Sequence, residues 1–375
     1  MSGMQNPKRI MLKRPVKELF ISSQDPIRSA LEHIDRGGLG ITLIVDEEQR
    51  LLGTISDGDI RRAMLDGINL NNPSSLLLER KAHTQYSRPI TAPLGTPPET
   101  LIALMRQYAL TVIPLLDKND RAIDLITMDE LLPSDNLPLQ AVIMAGGFGS
   151  RLHPLTETTP KPMLPVGGRP MMEVILEKLR LAGIQKINVT THYLPEKISE
   201  HFGDGKNFGV ELTYVNEEEP LGTGGALGLM PQPSGPILVV NGDVLTQVNY
   251  RAMLAFHNEY QAEMTVAVRQ YEFEIPYGVV ECEGVKIKAL REKPRMEYFV
   301  NAGIYLLNPS VYDFIPSGKH FNMTDLIQWL MDANRTVVSF PVSEYWLDIG
   351  QPKDYMRAQK DVENGLLENK KKRPS

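Results

Sequence analysis

The 375-residue chain has one cysteine, Cys282. An intramolecular disulfide is therefore excluded, and so is a zinc site built on thiolates. The expectation for Cys282 is a small, buried or half-buried side chain in a strand. Basic charge is not in excess either: 40 Lys and Arg against 46 Asp and Glu leave a net charge of −6. That balance argues against a nucleic-acid partner but allows small anionic substrates held by a few local cations. Long apolar runs are missing as well. The basic start, MSGMQNPKRIMLKRPVKELF, lacks the apolar core of a signal peptide, and no segment reaches the ~18 apolar residues of a membrane helix. A cytoplasmic protein with no membrane partner is expected. The ending, Glu368 to Ser375 (ENKKKRPS), reads as a solvated basic tail. No Ser-His-Asp or zinc pattern is found, so His153, His192 and His257 are assigned structural or surface roles.

A 42% hydrophobic and 23% charged composition is that of a folded globular chain, and the length predicts two domains. The stretch LPSDNLPL, with two prolines among polar residues, marks the break. Residues 1–132 form one unit, 133–139 a linker and 140–375 a second unit. The front unit holds an internal repeat. Residues 24–65 read as helix, strand, charged turn, strand, helix (PIRSALEHIDR, GITLIVD, EEQR, LLGTIS, DGDIRRAML), and residues 96–132 repeat that order. One copy could not bury its apolar face alone, which predicts two copies packed together. The rear unit alternates apolar strands (AVIMA, INVTT, ILVVNGD, EMTVAVR) with helical stretches such as EVILEKLRLAG. This pattern predicts an α/β fold with a Rossmann-like, mainly parallel sheet and ligands beyond the strand C-termini.

The run AVIMAGGFGSRLHPLTETTPKPMLPV carries the strongest chemical signal. A strand delivers the chain into Ala145, Gly146, Gly147 and Gly149, a turn able to aim backbone N–H groups at phosphate oxygens. Arg151 and Lys161 follow, two cations suited to charge on a transferred phosphoryl group. The loop is neither a Walker loop nor a dinucleotide-binding fingerprint. With Thr159-Pro160-Lys161-Pro162 and MLPVGG, it resembles the sugar-1-phosphate nucleotidyltransferase family from Gln140 to Lys360. The resemblance implies that the glycine loop wraps nucleotide phosphates, Arg151 stabilises leaving pyrophosphate and Lys161 contacts a phosphate. It implies base contacts at Glu217 and Gly222 within EEEPLGTGGAL. It further implies sugar or sugar-phosphate contacts at Gly278, Glu292, Lys293 and Asn301, and Mg²⁺ on Asp243 and Asp348. The substrates implied are a nucleoside triphosphate and a sugar 1-phosphate. GTP is favoured, with dTTP or UTP and glucose 1-phosphate, or a non-catalytic nucleotide sensor, as alternatives. No hexapeptide repeats follow Asp348, so an appended acetyltransferase is not expected.

The front repeat resembles a tandem CBS module, an α+β domain pair. That resemblance implies an adenine-nucleotide effector bound through Ser56 and Asp59 in the first copy. The second copy offers Thr127, with Glu130 where an Asp would stand. Asp59 also reads as a helix N-terminal residue. Paired modules of this kind imply a homo-oligomer.

Overall fold

The computed structural model describes residues 16–367 apart from 83, 85, 109 and 132–136. The basic start, the C-terminal tail and most of the expected linker lie outside the described residues. The chain divides into two compact units, residues 1–134 and 135–375.

In the front unit each copy is a three-stranded sheet flanked by helices. Ile41–Val45 and Leu51–Ser56 pair as an antiparallel hairpin, and Val112–Leu116 pairs likewise with Ala122–Thr127. Two-residue strands, Phe20–Ile21 and Ala92–Pro93, add on in parallel. The helix Ile27–Gly37 forms because Ile27, Ala30 and Ile34 fall on one turn-spaced face and are buried. Gly38, at φ 63°, closes it by donating its N–H to the Ile34 carbonyl. One apolar cluster fills the first copy and another the second. A third, containing Leu43, Val112 and Leu125, joins residues of both. The apolar face that one copy leaves open is closed by the other.

The rear unit is built on a seven-stranded sheet. Its order is Glu211–Asn216, Lys186–Thr191, Gln140–Met144, Ile237–Asn241, Arg295–Leu307, Met264–Glu274, Val337–Pro341. All neighbours pair in parallel except at Arg295–Leu307, which is antiparallel to both strands beside it. Ala141, Ile143, Leu238 and Val240 point into one core, while Val142 and Val239 point into the other. Strands buried on both faces require continuous apolar runs, which is how AVIM and ILVV read. Met264–Glu274 and Arg295–Leu307 stay paired down to Glu274 and Arg295. Their ladder thus passes the end of Val337–Pro341 and continues as a two-stranded ribbon, tipped by the hairpin Val279–Glu283 and Lys286–Arg291. Cys282 lies on that hairpin and is exposed, against the buried or half-buried expectation. Among the described residues the hairpin belongs to no apolar cluster, so a small apolar side chain there has nothing to cover it.

Candidate active site

The C-terminal ends of Gln140–Met144 and Ile237–Asn241 open onto a cleft of about 230 Å³ lined by Ala145, Gly146, Gly147, Lys161, Glu217, Gly222 and Asp243, among others. Parallel strands that end side by side leave their next residues as adjacent loops, so the site follows from the topology. The loops are tied by Gly242 N–H to the Met144 carbonyl (2.9 Å) and Ala145 N–H to the Thr190 carbonyl (3.0 Å). Two glycines are fixed by space. A Cβ on Gly146 would stand 2.5 Å from Glu217 Oε1, and one on Gly149 2.9 Å from Thr156 Cγ2. Gly149 also sits at φ 65°, where side chains are strained.

Lys161 opens a short 3-10 turn and is 8% exposed, with Nζ 2.5 Å from Asp243 Oδ2. Asp348 is drawn to the same place by sheet pairing: Val244 opposes Asp348, and Ile349 N–H donates to the Asp243 carbonyl at 3.0 Å. The Asp348 residue is exposed to solvent at one side. Even so, its carboxyl is pushed up to about 6, first by the protein that displaces water around it and then by the Asp243 charge. Lys161 and Arg151 act on it in the opposite sense. Arg151 extends along Gly350 beside Asp348. Asn241 Oδ1 is buried next to this cluster without a hydrogen-bond partner. Two acceptor-only carboxylates and an orphaned amide oxygen form an oxygen donor set that fits a hard divalent cation such as Mg²⁺. Among the described residues, no group of three or more His, Cys, Asp and Glu gathers as a closed metal cage.

Within the cleft, Glu217 is 7% exposed. Its Oε2 accepts the Leu221 N–H at 2.9 Å, and Oε1 lies against Gly146. The Glu217 carbonyl accepts from His192 Nδ1 at 2.8 Å, which sets the His192 tautomer. Phe148, half out of the glycine loop, meets His192 edge-on at 5.3 Å. Phe148 and Asn241 line the cleft and were not among the expected contacts, whereas His192 holds the structural role expected of it. An aromatic inside a glycine loop was the signal for Phe148, and the place of Asn241 at the end of the apolar strand ILVVNGD was the signal for Asn241. His257 is buried with Nδ1 2.8 Å from Thr265 Oγ1, and burial holds its pKa down. His153 is a surface residue.

The remaining expected residues stand elsewhere. Gly278 and Glu292 meet on the ribbon, where a Cβ on Gly278 would lie 3.0 Å from Glu292 Oε2. Lys293, at φ 43°, follows on an exposed bend. Among the described residues no hydrogen bond or ion pair joins these three to the cleft. Asn301 sits where the ribbon enters the sheet, its Oδ1 accepting the Gly303 N–H at 2.9 Å.

Residues 140–365 match the family model described as nucleotidyl transferase. The chain belongs to the nucleotidyl transferase family. The CBS domain model matches twice, at residues 8–66 and 85–134, so this nucleotidyl transferase carries a tandem CBS module at its front. Similar proteins include a mannose-1-phosphate guanylyltransferase of Mycobacterium tuberculosis, 33% identical over 61% of this chain and 66% of its own length. A mannose-1-phosphate guanyltransferase of Schizosaccharomyces pombe is 37% identical over 58% and 62%. A UTP–glucose-1-phosphate uridylyltransferase of Synechocystis is 33% identical over 62% and 65%. The chain thus spans less than two thirds of each relative's length.

In the CBS module, Ser56 and Asp59 form a capping box at the start of Asp57–Leu65. Asp59 Oδ2 accepts from Ser56 N–H and Oγ (both 2.8 Å) and from Lys81 Nζ (2.5 Å), while Oδ1 accepts from Arg62 (2.7 Å). Burial opposes ionisation of Asp59, but Lys81 and Ser56 outweigh it and hold the pKa below the usual carboxylate value. In the second copy Glu130 Oε2 accepts from Thr127 N–H (2.8 Å) and Oγ1 (3.0 Å). No cation among the described residues pairs with Glu130.

No helix among the described residues is long and apolar enough to cross a membrane.

Proposed function

We propose that this nucleotidyl transferase transfers a nucleoside monophosphate from GTP to a sugar 1-phosphate, releasing pyrophosphate and forming an NDP-sugar. The observation that carries the reaction is the meeting of Lys161, Asp243, Asp348 and Arg151 at the mouth of the glycine-lined cleft. A sugar 1-phosphate is ionised at neutral pH, so its oxygen can attack the α-phosphate without a general base. The protein's task is alignment and screening of two anions. Gly146 and Gly147 offer backbone N–H groups to the triphosphate. Lys161 neutralises charge at the reacting phosphate, and Arg151 faces the departing pyrophosphate. Asp243 and Asp348 would hold Mg²⁺, which supplies Lewis-acid stabilisation of the phosphoryl oxygens. Lys161 now occupies one Asp243 oxygen, so this pair loosens or shares that oxygen when substrates bind.

Glu217 supports guanine. Its carboxylate can only accept, and one oxygen is already taken by Leu221 N–H. Guanine presents two adjacent donors, N1–H and N2–H, to such a group. Uracil and thymine present one N–H between two carbonyls, which a carboxylate repels. The guanylyltransferases among the relatives agree with this choice. The test is turnover across four nucleoside triphosphates and a panel of sugar 1-phosphates, with product identified by mass. Wild type should favour GTP, and Glu217→Gln should erode that preference by roughly 10–100-fold in relative kcat/KM. A wild-type preference for UTP or dTTP would defeat the guanine assignment, and absence of any sugar nucleotide would defeat the reaction.

The CBS module is read as a regulatory adenine-nucleotide site, through Ser56 and Asp59 in one copy and Thr127 in the other. In the first copy a ribose must displace Lys81 and Arg62 from Asp59. In the second copy no cation among the described residues pairs with Glu130.

A further inference from the structure

Arg151, Lys161, Asp243 and Asp348 come from four separate segments, yet one apolar cluster joins them all. Leu152, Leu164, Leu245, Leu347 and Ile349 are buried in it, each close in sequence to one of those charged groups. Ala358, from the helix Pro352–Glu363, is buried there too, with Tyr355 and Val362 packed against it. This helix starts shortly after Asp348. Its entry is fixed by the Asp354 carboxylate, which accepts the Gln351 N–H at 3.0 Å.

Lys161 rests on little structure of its own. Its turn, Lys161–Met163, is closed by Leu164 N–H donating to the Lys161 carbonyl at 3.1 Å. The chain then enters a hairpin of two-residue strands, Pro165–Val166 and Arg169–Pro170. So short a hairpin cannot hold its position alone. The helix supplies the missing bonds from one face, on which Tyr355, Gln359 and Val362 fall at helical spacing. Tyr355 Oη and Gln359 Nε2 both donate to the Pro165 carbonyl at 2.6 Å, and Gln359 Oε1 accepts the Gly167 N–H at 3.1 Å. A glutamine amide donates and accepts at once, so Gln359 pairs with this backbone as a neighbouring strand would. Val362 closes over Gly167, where a Cβ would lie 2.4 Å from Val362 Cγ1.

We infer that Gln359 is a positioning residue for the transfer reaction: by tying the Pro165–Gly167 backbone to the helix Pro352–Glu363, it fixes Lys161 with respect to Asp348. The role rests on the nucleotidyl-transfer reading of the site. The chain connects the helix to Asp348 at one end, and Gln359 connects it to the Lys161 turn. Both hydrogen bonds of the Gln359 side chain go to main chain, so it acts through the backbone. A shift of about 1 Å in a group that must meet a phosphoryl oxygen costs on the order of 10²-fold in rate.

The test uses the full chain with GTP and the sugar 1-phosphate it turns over fastest, well below the unfolding temperature. Gln359→Met keeps length and bulk and removes both bonds. Its kcat should fall roughly tenfold or more, while KM for GTP stays within about threefold. A merely structural residue would lower the melting temperature and leave kcat alone. Amide exchange without substrate or metal is the second readout. Segment 160–168 should exchange roughly tenfold faster in the variant, with Gln140–Met144 and Ile237–Asn241 as protected as in wild type. The Met163 and Leu164 amides bond to the Pro160 and Lys161 carbonyls, so they report the turn and not the deleted Gly167 bond. Tyr355→Phe removes one of two bonds to Pro165 and should reproduce both changes at roughly two- to fivefold. It decides the matter if the Gln359 variant fails to fold. A variant at wild-type kcat would overturn the inference whether or not exchange rises, and so would a reduced kcat with unchanged exchange. A wild type without turnover would defeat the reaction itself and this role with it, whereas the other adverse outcomes defeat the role alone.

Discussion

The two halves of the candidate active site are built differently. The half proposed for the nucleotide sits on the ends of adjacent parallel strands, and most of its residues line one cleft whose backbone is tied by ladder and loop hydrogen bonds. The half proposed for the sugar phosphate, Gly278, Glu292 and Lys293, rides on a ribbon that leaves the sheet. Preorganisation belongs to the first half: a buried lysine, a packed glycine loop and a held carboxylate have little room to move. In the second half, placement of the charge depends on where the ribbon lies. The contrast implies that nucleotide affinity is set by the sheet and sugar-phosphate affinity by the ribbon.

The largest effect should come from the carboxylates gathered with Lys161 and Arg151. Asp348→Asn keeps the shape and removes one of two carboxylates proposed for Mg²⁺. Loss of several kcal/mol of charge stabilisation predicts a kcat lower by roughly 10²–10³-fold, with far-ultraviolet circular dichroism unchanged. Steady-state kinetics at saturating Mg²⁺ checks it. Retention of full kcat would remove Asp348 from the reacting centre.

Next in size is Lys293→Ala, which separates the halves directly. If the ribbon serves only the sugar phosphate, KM for the sugar 1-phosphate should rise roughly 10–100-fold while KM for GTP stays within about twofold. Equal increases in both constants would mean that the halves act as one unit and would dissolve the comparison.

The same contrast governs what could be read in advance. The nucleotide half was legible because its information is local. Strands buried on both faces must be written as apolar runs, and AVIM and ILVV each hand over directly to the residues that line the cleft. The ribbon was not legible. The segment MEYFVNAGIYLL is apolar enough for a strand but carries nothing that states its direction, and its reversal between two parallel neighbours is a property of the whole sheet. The exposure of Cys282 follows from that same omission. In the front unit the hairpins and helices appeared at their residues. Phe20–Ile21 and Ala92–Pro93 did not, because two residues cannot display a period of two. The capping box at Ser56 and Asp59 was visible in the spacing, whereas the ion pair to Lys81 spans 22 residues of sequence and needs the unforeseen helix Ser75–Lys81.

The front unit repeats the contrast on a smaller scale, between a wired first copy and a loose second one. Asp59 is buried and bound by Lys81 and Arg62, and its pKa is depressed. A carboxyl whose folded pKa lies below its unfolded one contributes stability above about pH 4, and that contribution fades as pH falls through the folded value. Asp59→Asn should therefore lower the stability of the front unit by about 1–2 kcal/mol at neutral pH. The deficit should shrink in acid, where wild type loses the same contribution. Glu130, exposed and among the described residues paired only with its own Thr127, should tolerate Glu130→Gln to within about 0.5 kcal/mol. Thermal unfolding of both variants from pH 7 down to pH 3 reads the difference. Equal losses would mean that Lys81 and Arg62 add nothing to the capping box and that the two copies are energetically alike. A loss confined to Asp59→Asn would mean that the first copy's carboxylate is committed to the fold before any effector arrives, leaving the second as the more accessible of the two.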